Sequence, residues 1–145
     1  GVAPIRGYAD GDLVEDEPPF AFHEFLTGWQ TRNFGLMATR AVNITQQKHA
    51  HLAGRMRTDA EHIKLVEFEI LSVSQTTVSR AEAHVRMHGQ NLKGDVGGEF
   101  LILAFYHTTR GDVAMPTDEG IWWVQQGCIF DLMHERTIQK REAKM

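Results

Sequence analysis

Apolar positions change their period once along this chain. Up to Met56 they recur at helical spacing, and from Lys64 onward they alternate. Phe22, Phe25, Leu26 and Trp29 stand at i, i+3, i+4 and i+7, which is one apolar face of a helix. Pro18-Pro19 suits the first turn of that helix, where a missing N–H costs nothing. Gly28 and the polar run Gln30-Thr31-Arg32 weaken its end, and Asn33 reads as the N-cap of a second short helix. Phe34, Leu36, Met37 and Ala41 supply the apolar positions there. A third helix is expected from about Thr45, turning Leu52, Ala53 and Met56 inward. Thr58 and Glu61 have the spacing of a capping box.

The alternating part begins with Val66, Phe68 and Ile70, set against Glu67 and Glu69, the pattern of a half-buried strand. Thr76-Thr77 is a weak turn signal. Ala81, Ala83, Val85 and Met87 then alternate with Glu82, His84, Arg86 and His88, the cleanest period-2 run in the sequence. The glycine-rich stretch Gly89 to Gly98 reads as a hairpin loop. Phe100 to Tyr106 is apolar on both faces, with Leu101, Leu103 and Phe105 on one and Phe100, Ile102, Ala104 and Tyr106 on the other. Such a strand calls for cover on both sides. A loop over 110–120 and a strand from Ile121 to Gln125 follow, and Cys128 to Met133 continues or extends that strand. The reading is α+β, helices first and antiparallel strands after.

Composition refines this without changing it. A chain of 145 residues with 42% apolar and 23% charged positions suits one globular domain. The net charge is −4, and Asp10, Asp12, Glu15, Asp16 and Glu17 account for all of the negative excess. Residues 1–17 are therefore expected to be a flexible acidic arm, 18–134 the folded domain and 135–145 a charged tail. The near-neutral body argues against a nucleic-acid partner. A single cysteine, Cys128, allows no internal disulfide, so a cytoplasmic setting is the default. No apolar run reaches the roughly 18 residues of a membrane span. The chain opens on Gly1 rather than Met, which leaves room for an upstream anchor or domain.

The order of elements, together with three local patterns, resembles the nuclear transport factor 2-like (NTF2-like) superfamily. Trp29 to Met37 is similar to its helix-ending Trp followed by an Asn–aromatic opening of the next helix. Leu65 to Leu71 resembles its first long strand, and Gly120-Ile-Trp122-Trp123-Val124 its late Gly-x-Trp-x-Val strand. The resemblance covers roughly residues 20–133. It implies a strongly curved antiparallel sheet, a cone-shaped half-barrel with the helices packed into its concave side. It also implies an apolar pocket there and, often, a homodimer through the convex face. On this reading Trp29, Phe68, Val85, Met87, Tyr106 and Trp122 are the candidate ligand-pocket residues. A hot-dog domain, the alternative fold, needs a strand before its main helix, and none is read here.

Candidate chemistry is sparse. His49 and His51 would share a face only on a strand, and on a helix they diverge by roughly 200°, so no metal site is expected. His84 and His88 share a polar strand face with Glu82 and Arg86. Tyr106, His107, Asp118 and Asp131 are the remaining titratable candidates, none in a paired pattern, and no catalytic residue is assigned. Cys128 has no adjacent activating base. No phosphate loop, dinucleotide fingerprint or nucleophile elbow is present, and no cofactor is expected. The expected function is a non-catalytic homodimeric module that binds a small apolar ligand or serves assembly. The alternatives are a small pocket enzyme (isomerase, dehydratase or hydrolase) and the soluble domain of a membrane-tethered secretion or conjugation component.

Overall fold

A computed structural model of the chain describes residues 17–41, 48–107 and 121–125. Three helices precede four strands: α1 (Pro18–Gln30), α2 (Phe34–Arg40), α3 (His49–Ala60), β1 (Lys64–Thr77), β2 (Arg80–Asn91), β3 (Gly94–His107) and β4 (Ile121–Val124). The strands form one antiparallel sheet in the order β1-β2-β3-β4. The α+β class and the helices-first order agree with the sequence. The acidic arm before Glu17, the 110–120 loop, Cys128 to Met133 and the tail lie outside the described residues.

α1 begins on the two prolines and turns Phe22, Phe25, Leu26 and Trp29 into the core, each fully buried. The Trp29 indole Nε1–H donates to the Ile63 carbonyl at 3.0 Å, and Gln30 Nε2 donates to the Val66 carbonyl at 3.0 Å. These two bonds tie the end of α1 to the start of β1. The helix ends with Arg32 at φ 57°, a left-handed position usually given to glycine. The Asn33 amide then donates to the Gly28 carbonyl at 2.7 Å.

Asn33 caps α2 as expected, its Oδ1 accepting from the Leu36 amide at 3.1 Å. Gly28 is more than a weak point in α1. A Cβ there would stand 2.9 Å from both the backbone N and the Cγ of Met37, so glycine permits the close crossing of α1 and α2. α3 buries Leu52, Met56 and Ala60 at four-residue spacing, leaving Ala53 partly buried.

The sheet corrects three local expectations and α3 a fourth. Val66 is exposed, because a register shift between Leu65 and Glu67 turns Leu65 inward instead and restores Phe68 and Ile70 to the core. Thr77 pairs with Arg80, so the first hairpin turns at Val78-Ser79, not at Thr76-Thr77. The glycine-rich segment is strand rather than loop. Asn91 pairs with Gly94, and the turn is only Leu92-Lys93. Glycine is needed there for contact: Gly97 has φ +157°, and a Cβ would fall 2.3 Å from the Met87 carbonyl oxygen. Thr58 opens no helix, since it lies inside α3 with its hydroxyl donating to the Gly54 carbonyl.

The inner sheet face carries Leu65, Phe68, Ile70, Ala81, Ala83, Val85, Met87, Phe100, Ile102, Ala104, Trp122 and Val124, all buried. α1 packs against all four strands, while α2 bridges α1, α3 and β4. Ala41 extends this join through an isolated parallel bridge to Val124.

Candidate functional site

The helices cover the inner face and leave the outer face as a ladder of polar and apolar rows. Strand pairing fixes the rows. Glu67, His88 and Gly97 form one, followed by Glu69, Arg86 and Glu99, then Ser72, His84 and Leu101, then Ser74, Glu82 and Leu103. Thr77, Arg80 and Phe105 come last, with Trp123 beyond. Alternation on β2 puts these side chains on one surface.

The charged end is well connected. Arg86 stands 3.5 Å from Glu69 and from Glu99. His84 lies 3.8 Å from Glu99, and His88 lies 3.9 Å from Glu67 and 3.3 Å from Asp95. Apart from the half-buried Glu69 and His88 these groups are exposed, where a single ion pair contributes only about 0–1 kcal/mol. The apolar end is Leu101, Leu103 and Phe105. Leu101 is 58% exposed, whereas Leu103 and Phe105 are half-buried and Trp123 beyond them is buried, so the outer face of β3 is most open at Leu101. Between the two ends runs an open groove of about 470 Å³, lined by Ser72, Ser74, Glu82, His84, Glu99, Phe100 and Leu101.

A second polar feature lies inside. Arg40 is 7% exposed, its Nε donating to Glu24 Oε1 at 3.3 Å and its Nη1 to the Trp122 carbonyl at 3.4 Å. Its guanidinium lies 5.4 Å from the centre of the Phe20 ring. The cluster joins α1, α2 and β4, and sequence reasoning missed it because Arg40 reads as the ordinary basic end of a helix.

The six candidate pocket residues separate into two places. Trp29, Phe68, Val85 and Met87 are buried in the helix–sheet core. Tyr106 is half-buried and lies 5.4 Å from the buried Trp122, ring centre to ring centre. Trp122 faces the core, and Trp123 lies on the outer side, also buried. His49 and His51 are exposed on α3, with His49 Nε2 donating to the Gly35 carbonyl at 2.9 Å. Among the described residues, no group of three His, Cys, Asp or Glu side chains could hold a metal ion. No helix among them is long and apolar enough to cross a membrane. Asp118, Cys128 and Asp131 lie outside the described residues.

No protein-family model matches the sequence, and no curated protein matches it. Solved structures do. A SEC-C motif containing protein from Psychrobacter arcticus is similar with a TM-score of 0.54 at 6% identity, over 81% of this chain and 63% of that one. The chain therefore spans less than two thirds of that relative's length. A SEC-C motif containing protein from Rhodopseudomonas palustris is similar with a TM-score of 0.50 at 12% identity, over 80% of each chain. At such identities the likeness speaks for the fold alone. It overturns the NTF2-like resemblance, because these neighbours have a different fold. The residues behind that resemblance serve needs common to many helix-on-sheet layers. Trp29 fills a core, Asn33 caps a helix, and Trp122 and Val124 face inward from a strand.

Proposed function

We propose that this chain is a non-catalytic α+β module that assembles as a homodimer through the outer face of its sheet. One observation carries the reading. Leu101 is 58% exposed in the middle of a strand whose other face buries Phe100, Ile102 and Ala104, and the half-buried Leu103 and Phe105 continue the apolar strip beside it. Isolated exposed leucines are ordinary, but an apolar strip bordered by charges on one sheet face marks an interaction surface. Three register shifts in β1 support the further reading that the sheet curves around the helices as a cone-shaped half-barrel. A cytoplasmic setting belongs to the same proposal.

The Tyr106–Trp122 contact favours a second reading, a small-ligand site. Trp122 also takes the Arg40 hydrogen bond, so an aromatic pair and a buried cation meet at one residue.

The test of the first reading is Leu101→Asp. Wild type is expected to sediment as a dimer at micromolar concentration, and Leu101→Asp as a folded monomer with nearly the wild-type melting temperature. A wild-type protein that stays monomeric throughout would overturn the assembly reading.

A further inference from the structure

The outer face also specifies how two copies would meet, an inference that rests on the assembly reading above. Among the described residues the groove is lined by the carboxylates of Glu82 and Glu99, by Ser72, Ser74 and His84, by Phe100 and Leu101, and by no Lys or Arg. Glu82 meets Arg80 of its own strand at 3.5 Å, and Glu99 meets Arg86 and His84 at 3.5 and 3.8 Å, so a cation from outside would exchange with long contacts between partly exposed groups. Arg86 is one row away on the same face, 53% exposed in its side chain. Its contacts with Glu69 and Glu99 are 3.5 Å each, long enough to be exchanged at small cost.

A two-fold axis can lay this face on its copy in two ways. With the axis along the strands, every residue of β2 meets its own copy, so Arg86 lies on Arg86 and Glu82 on Glu82. With the axis across the strands, β2 runs antiparallel over its copy, and the row beneath the axis sets the mates. An axis over the Glu82 row stacks Glu82 on itself. An axis over the Arg86 row stacks Glu69, Arg86 and Glu99 each on itself. An axis between the His84 and Glu82 rows sets Arg80 against Arg86, and one between the Arg86 and His84 rows sets Arg86 against His84. An axis over the His84 row sets Arg86 of each copy opposite Glu82 of the other, twice, and brings the two Leu101 side chains together. Packed sheets cross at roughly 30°, so matching is closest in the rows next to the axis, which are the rows of Glu82 and Arg86.

The geometry points to a face-to-face dimer whose axis passes over His84 and Leu101, with Arg86 of each copy seated in the groove against Glu82 of the other. Within one chain these two residues are four apart on the same strand, about 13 Å along it, so a charge exchange between them reads contact between copies.

The experiment uses Glu82→Arg and Arg86→Glu in the full chain, with folding checked by circular dichroism. Each variant alone sets like charges opposite each other at two places and should weaken self-association by about tenfold or more. Mixed in equal amounts, the two should form a heterodimer of wild-type mass, and a single chain carrying both exchanges should again form a homodimer. If wild type dimerises but the mixture stays monomeric, or the single variants dimerise as wild type does, this pairing is overturned while assembly through the face stands. A monomeric wild type overturns the assembly reading itself.

Discussion

Replacing Trp29 with alanine tests the join on which the helix–sheet layer depends. The indole is fully buried among the α1 stripe and the sheet, and its Nε1–H donates to the Ile63 carbonyl. Truncating a buried Trp costs about 3–5 kcal/mol through lost transfer energy and the cavity left behind. The stranded Ile63 carbonyl adds about 1–3 kcal/mol unless water reaches it. Against a typical stability of about 5–15 kcal/mol, the sum is large enough to unfold much of the protein. For a urea slope of about 2 kcal/mol/M, the midpoint should fall by roughly 2–4 M. Trp29→Phe separates the two contributions, because it keeps most of the ring and removes the hydrogen bond. Its loss should be well under half that of alanine. Urea unfolding followed by circular dichroism reads both variants. A Trp29→Ala midpoint near wild type would refute the packing argument and move Trp29 from the core to a ligand surface.

Two smaller perturbations probe local geometry. Asn33→Ala removes the acceptor of the Leu36 amide at the start of α2 and should cost about 0.5–2 kcal/mol in urea unfolding, with no change in oligomeric state. Gly97→Ala places a Cβ against the Met87 carbonyl, which is backbone and cannot turn aside. It should lower the melting temperature by several degrees and loosen the β2–β3 pairing, seen as faster amide exchange in Met87 and His88; an unchanged melting temperature would contradict the close approach.

The sequence made some elements legible and hid others for identifiable reasons. The α1 stripe and the Asn33 cap are local devices, so their residues announce them. The inward run Ala81, Ala83, Val85 and Met87 is likewise local, since alternation with charges allows only one buried face. Val66 was misplaced because a bulge is settled by pairing between strands, which spacing along one strand does not record. Gly89 to Gly98 reads as a loop because glycine is usually a turn residue, yet here the partner strand's backbone excludes a side chain at Gly97. Arg40 was unremarkable in the sequence because its partners, Glu24 and Trp122, come from elements distant along the chain. The family resemblance failed for the opposite reason. Its residues are accounted for by packing and capping that many folds share.

The outer face was half legible. The two-sided apolar character of β3 is visible in Phe100 to Tyr106, but which set would stay exposed depends on where the helices pack. The structure decides for Phe100, Ile102 and Ala104 as the buried set, and leaves Leu101 outside. The groove beside it is built from three strands, so no single stretch of sequence could display it.

The most direct test of the assembly surface is hydroxyl-radical footprinting of the wild-type protein over a range of concentrations. Leu101 should be modified readily in dilute solution and become protected as concentration rises through the dimer range, while the exposed turn residue Leu92 stays equally reactive throughout. Equal modification of Leu101 at every concentration, in a sample that sedimentation shows to be dimeric, would place the interface elsewhere on the molecule.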